Sequence, residues 1–193
     1  MSGPWVVGYG SLCSASSVAK TVGRPVEPHP AELRGWKRRW SLCRDNLRSE
    51  KTFALSSGEL PPFILGLNIE PGEYLTGPVN GAVFELTDSE LERLDLREMR
   101  YDRIDVSEEI VLPGDAGPAA VVTYRAKPEH FAPEPPEGAI ILPKYAGVVE
   151  HAFELLGAGE LDRFRATTGP LPVEVVEAVL VKDEILPGNP DSW

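Results

Sequence analysis

Short apolar runs separated by glycine and proline recur along the chain, at 5–8, 36–42, 52–55, 64–69, 81–86, 103–109, 119–126 and 173–181. Several alternate apolar with polar residues, the period of a strand with one buried face. So many short strands pack most economically into one closed or strongly curled sheet. Three stretches carry the helical period instead. Residues 88–97 follow Thr87 and Glu90 at capping-box spacing and place Leu91 and Leu94 on one face. Pro143 suits the first turn of a helix that runs through Tyr145, Val149, Ala152, Phe153 and Leu156 and stops at Gly157. A third helix, about 159–168, turns Leu161 and Phe164 inward before Gly169 and Pro170 end it. The expected fold is α+β, a small curled or barrel-like mixed β-sheet with helices packed outside. Residues 128–138 read as a proline-rich loop, and the Gly- and Pro-rich segment 56–80 as a cover over the mouth of a pocket.

With 193 residues, 42% of them hydrophobic, the chain can bury a sizeable core without needing a second domain. It reads as one domain, 1–193, with 157–193 as a C-terminal extension packed on it. No run approaches the ~20 apolar residues of a membrane-spanning helix, and no basic region with a long apolar segment opens the chain. The expectation is a cytoplasmic protein that does not engage membranes. Cys13 and Cys43 are too few for a disulfide framework or a four-ligand metal site, and fit buried or half-buried thiols. A formal charge of -11 repels phosphate backbones, so a small-molecule partner is expected and nucleic acid is not. The basic stretch 34–51 runs against that balance. It reads as a strand with Trp36, Arg38, Trp40 and Leu42 on one face and Lys37, Arg39 and Ser41 in solvent. Nothing in the chain fixes an oligomeric state.

Chemistry concentrates at two places. The first strand empties into Gly8-Tyr9-Gly10-Ser11-Leu12, where closely spaced glycines let consecutive amides converge on an anion, either a carboxylate or an oxyanion. A dinucleotide fingerprint is excluded, because Cys13 stands where the third glycine belongs. None of His29, His130 and His151 lies near a Gly-x-Ser-x-Gly elbow, and no ligand spacing calls for a metal. His151 fits a packed or boundary position on its helix. The second place is Glu98, where the 88–97 helix gives out beside Met99. The negative end of the helix dipole and partial burial would both raise its pKa, the setting for a proton shuttle. A surface glutamate paired with Arg97 or Arg100 fits the same pattern, and both readings stand at this point.

Tyr9-Gly10-Ser11-Leu12 at the end of the first strand resembles the loop of the gamma-glutamylcyclotransferase family. Leu94-Asp95-Leu96-Arg97-Glu98 ahead of Tyr101-Asp102-Arg103 is similar to the family's second mark, and Pro143-Lys144-Tyr145 and the strand from Gly35-Trp36 to Trp40 add weaker likenesses. The resemblance covers about 6–157, while 56–80 and the stretch after Gly157 depart from it. It implies an AIG2-like fold and an enzyme that cyclises a gamma-glutamyl group to 5-oxoproline, releasing the attached amine without a cofactor. It further implies Glu98 as general base and then acid, with Tyr9, Gly10, Ser11, Leu12 and Tyr145 binding the gamma-glutamyl substrate. Other outcomes on the same fold are a pocket that only binds gamma-glutamyl compounds or related small carboxylates, a cyclotransferase for other gamma-glutamyl amides, and an adaptor using the 34–51 face.

Overall fold

The run Trp5-Val6-Val7 forms the strand around which the main sheet is built. In chain order the elements are β1 (Trp5–Gly8), α1 (Ala15–Val22), β2 (His29–Leu33), β3 (Trp36–Asp45), β4 (Lys51–Leu55), β5 (Phe63–Pro71), β6 (Val79–Glu85), α2 (Asp88–Arg97), β7 (Tyr101–Asp105), β8 (Ile110–Val111), β9 (Val121–Ala126), β10 (Ala139–Ile140), α3 (Pro143–Leu156), α4 (Glu160–Ala166) and β11 (Ala178–Asp183). The computed structural model describes residues 3–74, 76–112 and 120–184.

Both faces of β1 are covered, so Val6 and Val7 are fully buried, and the strand pairs antiparallel with β6 and parallel with β9. The main sheet runs β7-β9-β1-β6-β2-β8, beside a second of β10-β5-β3 and a ribbon of β11-β4. Side chains stitch the two larger sheets into one curled wall. Asn68 of β5 accepts a hydrogen bond from the Ala126 amide of β9 at 2.8 Å, and Arg38 of β3 donates to the Asn80 carbonyl of β6 at 2.7 Å. The result is the expected α+β architecture, a curled mixed sheet with helices outside.

The helices are set by their caps and apolar faces. Thr87 and Glu90 form a complete capping box at the start of α2, whose Leu91 and Leu94 pack with Val18 and Val22 of α1 and with Phe84. Pro143 occupies the first turn of α3, which buries Tyr145, Val149, Ala152 and Phe153 in the main core. From α4, Phe164 stacks on Phe153 with ring centroids 4.6 Å apart. Among the described residues, no helix is long and apolar enough to cross a membrane.

Several expectations need correction. The strand placed at 103–109 is β7, beginning at Tyr101 and ending at Asp105, and the one placed at 173–181 starts only at Ala178. Ala119, first residue of the expected 119–126 strand, lies outside the described residues, as do 185–193 of the proposed extension. The segment 56–80 is not a cover. It contains β5, an apolar run of Phe63-Ile64-Leu65-Gly66-Leu67 that forms the middle strand of the second sheet. On β3 the alternation holds through Trp40, then a bulge between Arg39 and Leu42 turns Ser41 inward to donate to Glu70 at 2.6 Å. His151 is neither packed nor at a boundary, since its side chain is exposed and lies 3.2 Å from Glu154.

Two glycines near the end of β1 are required by close backbone approach. A Cβ on Gly81 would stand 2.2 Å from the Gly8 carbonyl oxygen, and one on Gly8 would stand 2.6 Å from Leu12 Cβ. Gly81→Ala should therefore push β6 from β1, costing about 1–3 kcal/mol, the range for overpacking a tight interior. Thermal denaturation checks this, with Gly147→Ala, where an added Cβ meets open space inside α3, as the control expected to hold or raise Tm, since alanine suits a helix interior better than glycine.

Candidate active site

The loop after β1 is a tight 3-10 turn over Ser11–Cys13, closed by the Cys13 amide on the Gly10 carbonyl at 2.9 Å and the Ser14 amide on the Ser11 carbonyl at 3.2 Å. Ser14 then caps α1 by accepting from the Ser17 amide. Among the described residues no protein acceptor takes the amides of Gly10, Ser11 or Leu12. Beneath the turn, Tyr9 is buried and its hydroxyl donates to the Tyr124 carbonyl at 2.6 Å. Burial pushes the Cys13 thiol up to about 12 and its Sγ donates to the Gly8 carbonyl, so it is held protonated as a packing group.

Glu98 is the C-cap of α2, its amide bonded to the Leu94 carbonyl at 2.9 Å. The Tyr101 amide returns to the Glu98 carbonyl at 2.8 Å, and this turn sends the chain into β7 with both side chains toward one cleft. The Glu98 side chain is only 11% exposed, with Arg97 Nε 3.0 Å from its Oε1. Arg97 is itself fixed from α1, donating to the Ser17 carbonyl at 3.0 Å and to Thr21 Oγ1 at 3.2 Å. Burial raises the Glu98 pKa above the usual carboxylate value, and the Arg97 and Arg100 guanidiniums oppose that rise without cancelling it. The two sequence readings thus merge: this glutamate is paired with Arg97 and is also withdrawn from solvent.

Around Glu98 stand Tyr9, Tyr101, Tyr124 and Tyr145, contributed by the first loop, β7, β9 and α3. Each has a fixed partner. Tyr101 donates to the Leu67 carbonyl at 2.8 Å, the Leu67 amide donates to the Tyr145 hydroxyl at 3.2 Å, and Tyr124 donates to Asp95 at 2.8 Å. Trp40 meets the Tyr145 ring edge-on at 6.0 Å. Burial raises all four phenols above their ordinary value, so they are neutral hydrogen-bonding groups at physiological pH.

The cleft has two lobes. One lies against Tyr9, Gly10, Ser11, Leu12 and Leu67. The other, about 680 Å³ with its open mouth, runs past Leu42 and Gly66 to Arg44, Glu50, Lys51 and Arg100. Ser11, Glu98, Tyr101 and Tyr145 line both. All of the residues singled out from sequence, Glu98, Tyr9, Gly10, Ser11, Leu12 and Tyr145, therefore meet at one place. Sequence reasoning named Arg97 only as a surface pairing partner of Glu98 and quoted Tyr101 only in the strand that follows it, giving neither a place in the site, and it missed Tyr124 and the basic lobe. The only local signal was the spacing of Arg97 and Tyr101 about Glu98, since the others arrive from distant strands. Among the described residues no three of His, Cys, Asp or Glu gather as metal ligands.

No protein-family model matches the sequence, and no curated protein does. Solved structures do. A gamma-glutamyl cyclotransferase superposes with a TM-score of 0.57 over 90% of this chain and 93% of its own, at 15% identity. This chain has the gamma-glutamyl cyclotransferase-like fold. The human protein loc79017 gives a TM-score of 0.56 at 15% identity over 90% of this chain and 93% of that one. YkqA from Bacillus subtilis gives 0.57 at 18% identity over 87% of this chain, which spans just over half (55%) of YkqA. At these identities the likeness is one of fold. In the gamma-glutamyl cyclotransferase-like fold of this chain, the cleft opens where β1 ends and α2 gives way to β7.

Proposed function

We propose that this chain cyclises gamma-glutamyl amides to 5-oxoproline with release of the attached amine. The observation that carries the proposal is a carboxyl of raised pKa, Glu98, at the junction of two lobes, one of them lined by the Ser11 turn with its uncommitted amides. No protein nucleophile is needed. Glu98 takes a proton from the substrate's alpha-ammonium, and the freed nitrogen attacks the gamma-carbonyl carbon to close a five-membered ring. The tetrahedral intermediate collapses as the bond from that carbon to the leaving nitrogen breaks and protonated Glu98 delivers its proton to that nitrogen; the ring nitrogen gives up its second proton to the freed carboxylate, which passes it to the released amine, leaving the neutral lactam of 5-oxoproline and the amine as its ammonium ion. The amides of Gly10, Ser11 and Leu12 serve as donors to the glutamyl carboxylate or to the transient oxyanion. Buried neutral tyrosines shape the chamber and hold the glutamyl chain folded back on itself, where proximity supplies much of the acceleration. Arg97 acts as a positioning residue, tying Glu98 to α1.

The test is mass-spectrometric detection of 5-oxoproline after incubation with gamma-glutamyl dipeptides, glutathione and gamma-glutamyl-lysine. Release from at least one supports the reading. A thermal shift with these compounds and no 5-oxoproline from any would mark a binding protein and overturn it.

A further inference from the structure

Among the described residues three buried side-chain nitrogens lack a hydrogen-bond partner, Arg44 Nε, Arg97 Nε and Arg97 Nη2, and all belong to side chains that line the second lobe of the cleft. Two of them sit on one guanidinium. The Arg97 side chain is 1% exposed, and its Nη1 is spent on α1, at the Ser17 carbonyl and Thr21 Oγ1. That anchor fixes the plane of the fork. Nε and Nη2 form its other edge, which faces Glu98 with Nε 3.0 Å from Oε1. Holding the carboxylate by charge needs no more than this contact, and a pair built only for attraction would close as a two-pronged bond that uses both nitrogens. Nη2 is left over. A buried N–H without an acceptor costs stability, so its place beside the proton-transferring group calls for an acceptor that arrives with the substrate.

We infer that Arg97 is a catalytic residue, its Nη2 donating to the gamma-carbonyl oxygen as that atom becomes the oxyanion of the tetrahedral intermediate. The inference rests on the cyclotransferase reading. The attacking and leaving nitrogens, which Glu98 serves in turn, are bonded to one gamma-carbon. That carbon therefore comes to lie beside the carboxyl, and its oxygen within range of the donor edge that faces the same carboxyl. The charges fit the order of the steps. Before reaction the guanidinium faces the negative charge of Glu98. When Glu98 takes the proton from the ammonium, that charge disappears. The amine lone pair then forms the bond to carbon while the carbonyl pair moves onto oxygen, and a new negative charge appears beside the same guanidinium. On collapse the pair returns to the carbonyl as the bond to the leaving nitrogen breaks. One fixed cation thus answers two anions in succession without moving, which is the preorganised arrangement that favours a transition state. The amides of Gly10, Ser11 and Leu12, which line the first lobe, are then left for the glutamyl carboxylate.

Arg97→Lys separates charge from reach, because one ammonium on a shorter stem cannot hold the Ser17 carbonyl and the substrate oxygen together. Its acid limb in kcat/KM should stay close to that of the parent, while kcat on the plateau above the limb falls by about 10²-fold, the usual loss for one oxyanion donor, with KM little changed. Arg97→Met should lose at least as much on its own plateau. The decisive readout compares a gamma-glutamyl dipeptide with its thioamide, in which sulfur, a weak acceptor, replaces the gamma-carbonyl oxygen. The parent should prefer the oxygen compound by more than uncatalysed cyclisation does, and both variants should bring the preference back toward the uncatalysed ratio. Arg97→Lys carries the test if Arg97→Met does not fold, with near-UV circular dichroism as the check. A plateau that recovers fully once the pH passes a shifted limb, a drop in kcat that leaves the preference for oxygen at the parent value, or a parent with no added preference would each overturn the catalytic role. Arg97 would then be an anchor for Glu98 alone, and the cyclotransferase reading would stand. No 5-oxoproline from the parent with any compound of the panel overturns that reading and this one with it.

Discussion

Glu98→Gln is expected to lower 5-oxoproline release by ~10³-fold or more, because one carboxyl carries both proton transfers and each is a general acid–base step. The amide keeps the shape of the side chain and an oxygen for Arg97 Nε, so near-UV circular dichroism should be unchanged and the loss should fall on kcat. The pH profile supplies an independent reading of the same group. A base works only when deprotonated, so kcat/KM should climb with pH through the Glu98 pKa of the free protein, and burial places that limb above the ordinary value of 4.5. Arg97 opposes the burial effect by favouring the charged form. Removing it in Arg97→Met should raise the Glu98 pKa further and move the acid limb to higher pH. A limb that stays put would mean that another group sets the profile. Parent-like turnover by Glu98→Gln would end the assignment of this residue.

What was legible in the sequence follows from how local each signal is. The capping box of α2, the proline at the head of α3 and the apolar run of β1 are each written within a few residues, and each element formed where expected. α1 was missed because Ala15-Ser16-Ser17 offers no apolar stripe, and its buried face has only Ser17, Val18, Thr21 and Val22. β2 was missed because Pro30 argues against a central strand. Pro30 is tolerated because β8 pairs only with Glu32 and Leu33, leaving the proline beyond the end of that ladder. The cover expected at 56–80 failed for a related reason, since the glycines and prolines around β5 hid a run that is buried on both sides of the second sheet. At the site, Glu98 was nominated by its place at a helix end, but its burial is a tertiary fact. It depends on tyrosines from the first loop, β7, β9 and α3, and on α1 reaching Arg97. The same applies to the second lobe, where Arg44 of β3 and Arg100 of the turn after α2, far apart in sequence, line one cavity.

The largest expected effect on stability belongs to Arg38, which sequence alternation placed on the inner face of β3 among tryptophans without giving it a role. It is completely buried. Its guanidinium donates to the Tyr9 carbonyl at 3.0 Å, to the Asn80 carbonyl and side chain at 2.7 and 2.8 Å, to the Phe164 carbonyl at 3.2 Å, and to Thr167 and Thr168 hydroxyls at 3.0 and 2.8 Å. It also stacks 4.3 Å from the centre of the Phe164 ring. One planar fork thus ties the loop after β1 to β6 and to the end of α4, a geometry that a lysine cannot reproduce with a single ammonium. Arg38→Met keeps much of the volume and removes every donor, leaving several buried acceptors unsatisfied together. We expect a loss of about 4 kcal/mol or more, since each orphaned acceptor costs roughly 1–3 kcal/mol and the losses partly overlap. Arg38→Lys should recover only a fraction of it. Urea titration measures the loss, and hydrogen exchange should find it concentrated in α4 and the 9–13 loop, where the severed contacts lie. Because the Tyr9 carbonyl is one of those contacts, protein that still folds should also lose turnover through a displaced Ser11 turn, while the pH limb set by Glu98 stays where it was. A melting curve unchanged from the parent would mean that the acceptors find other donors, and Arg38 would then be no more than a filler of space between the two sheets.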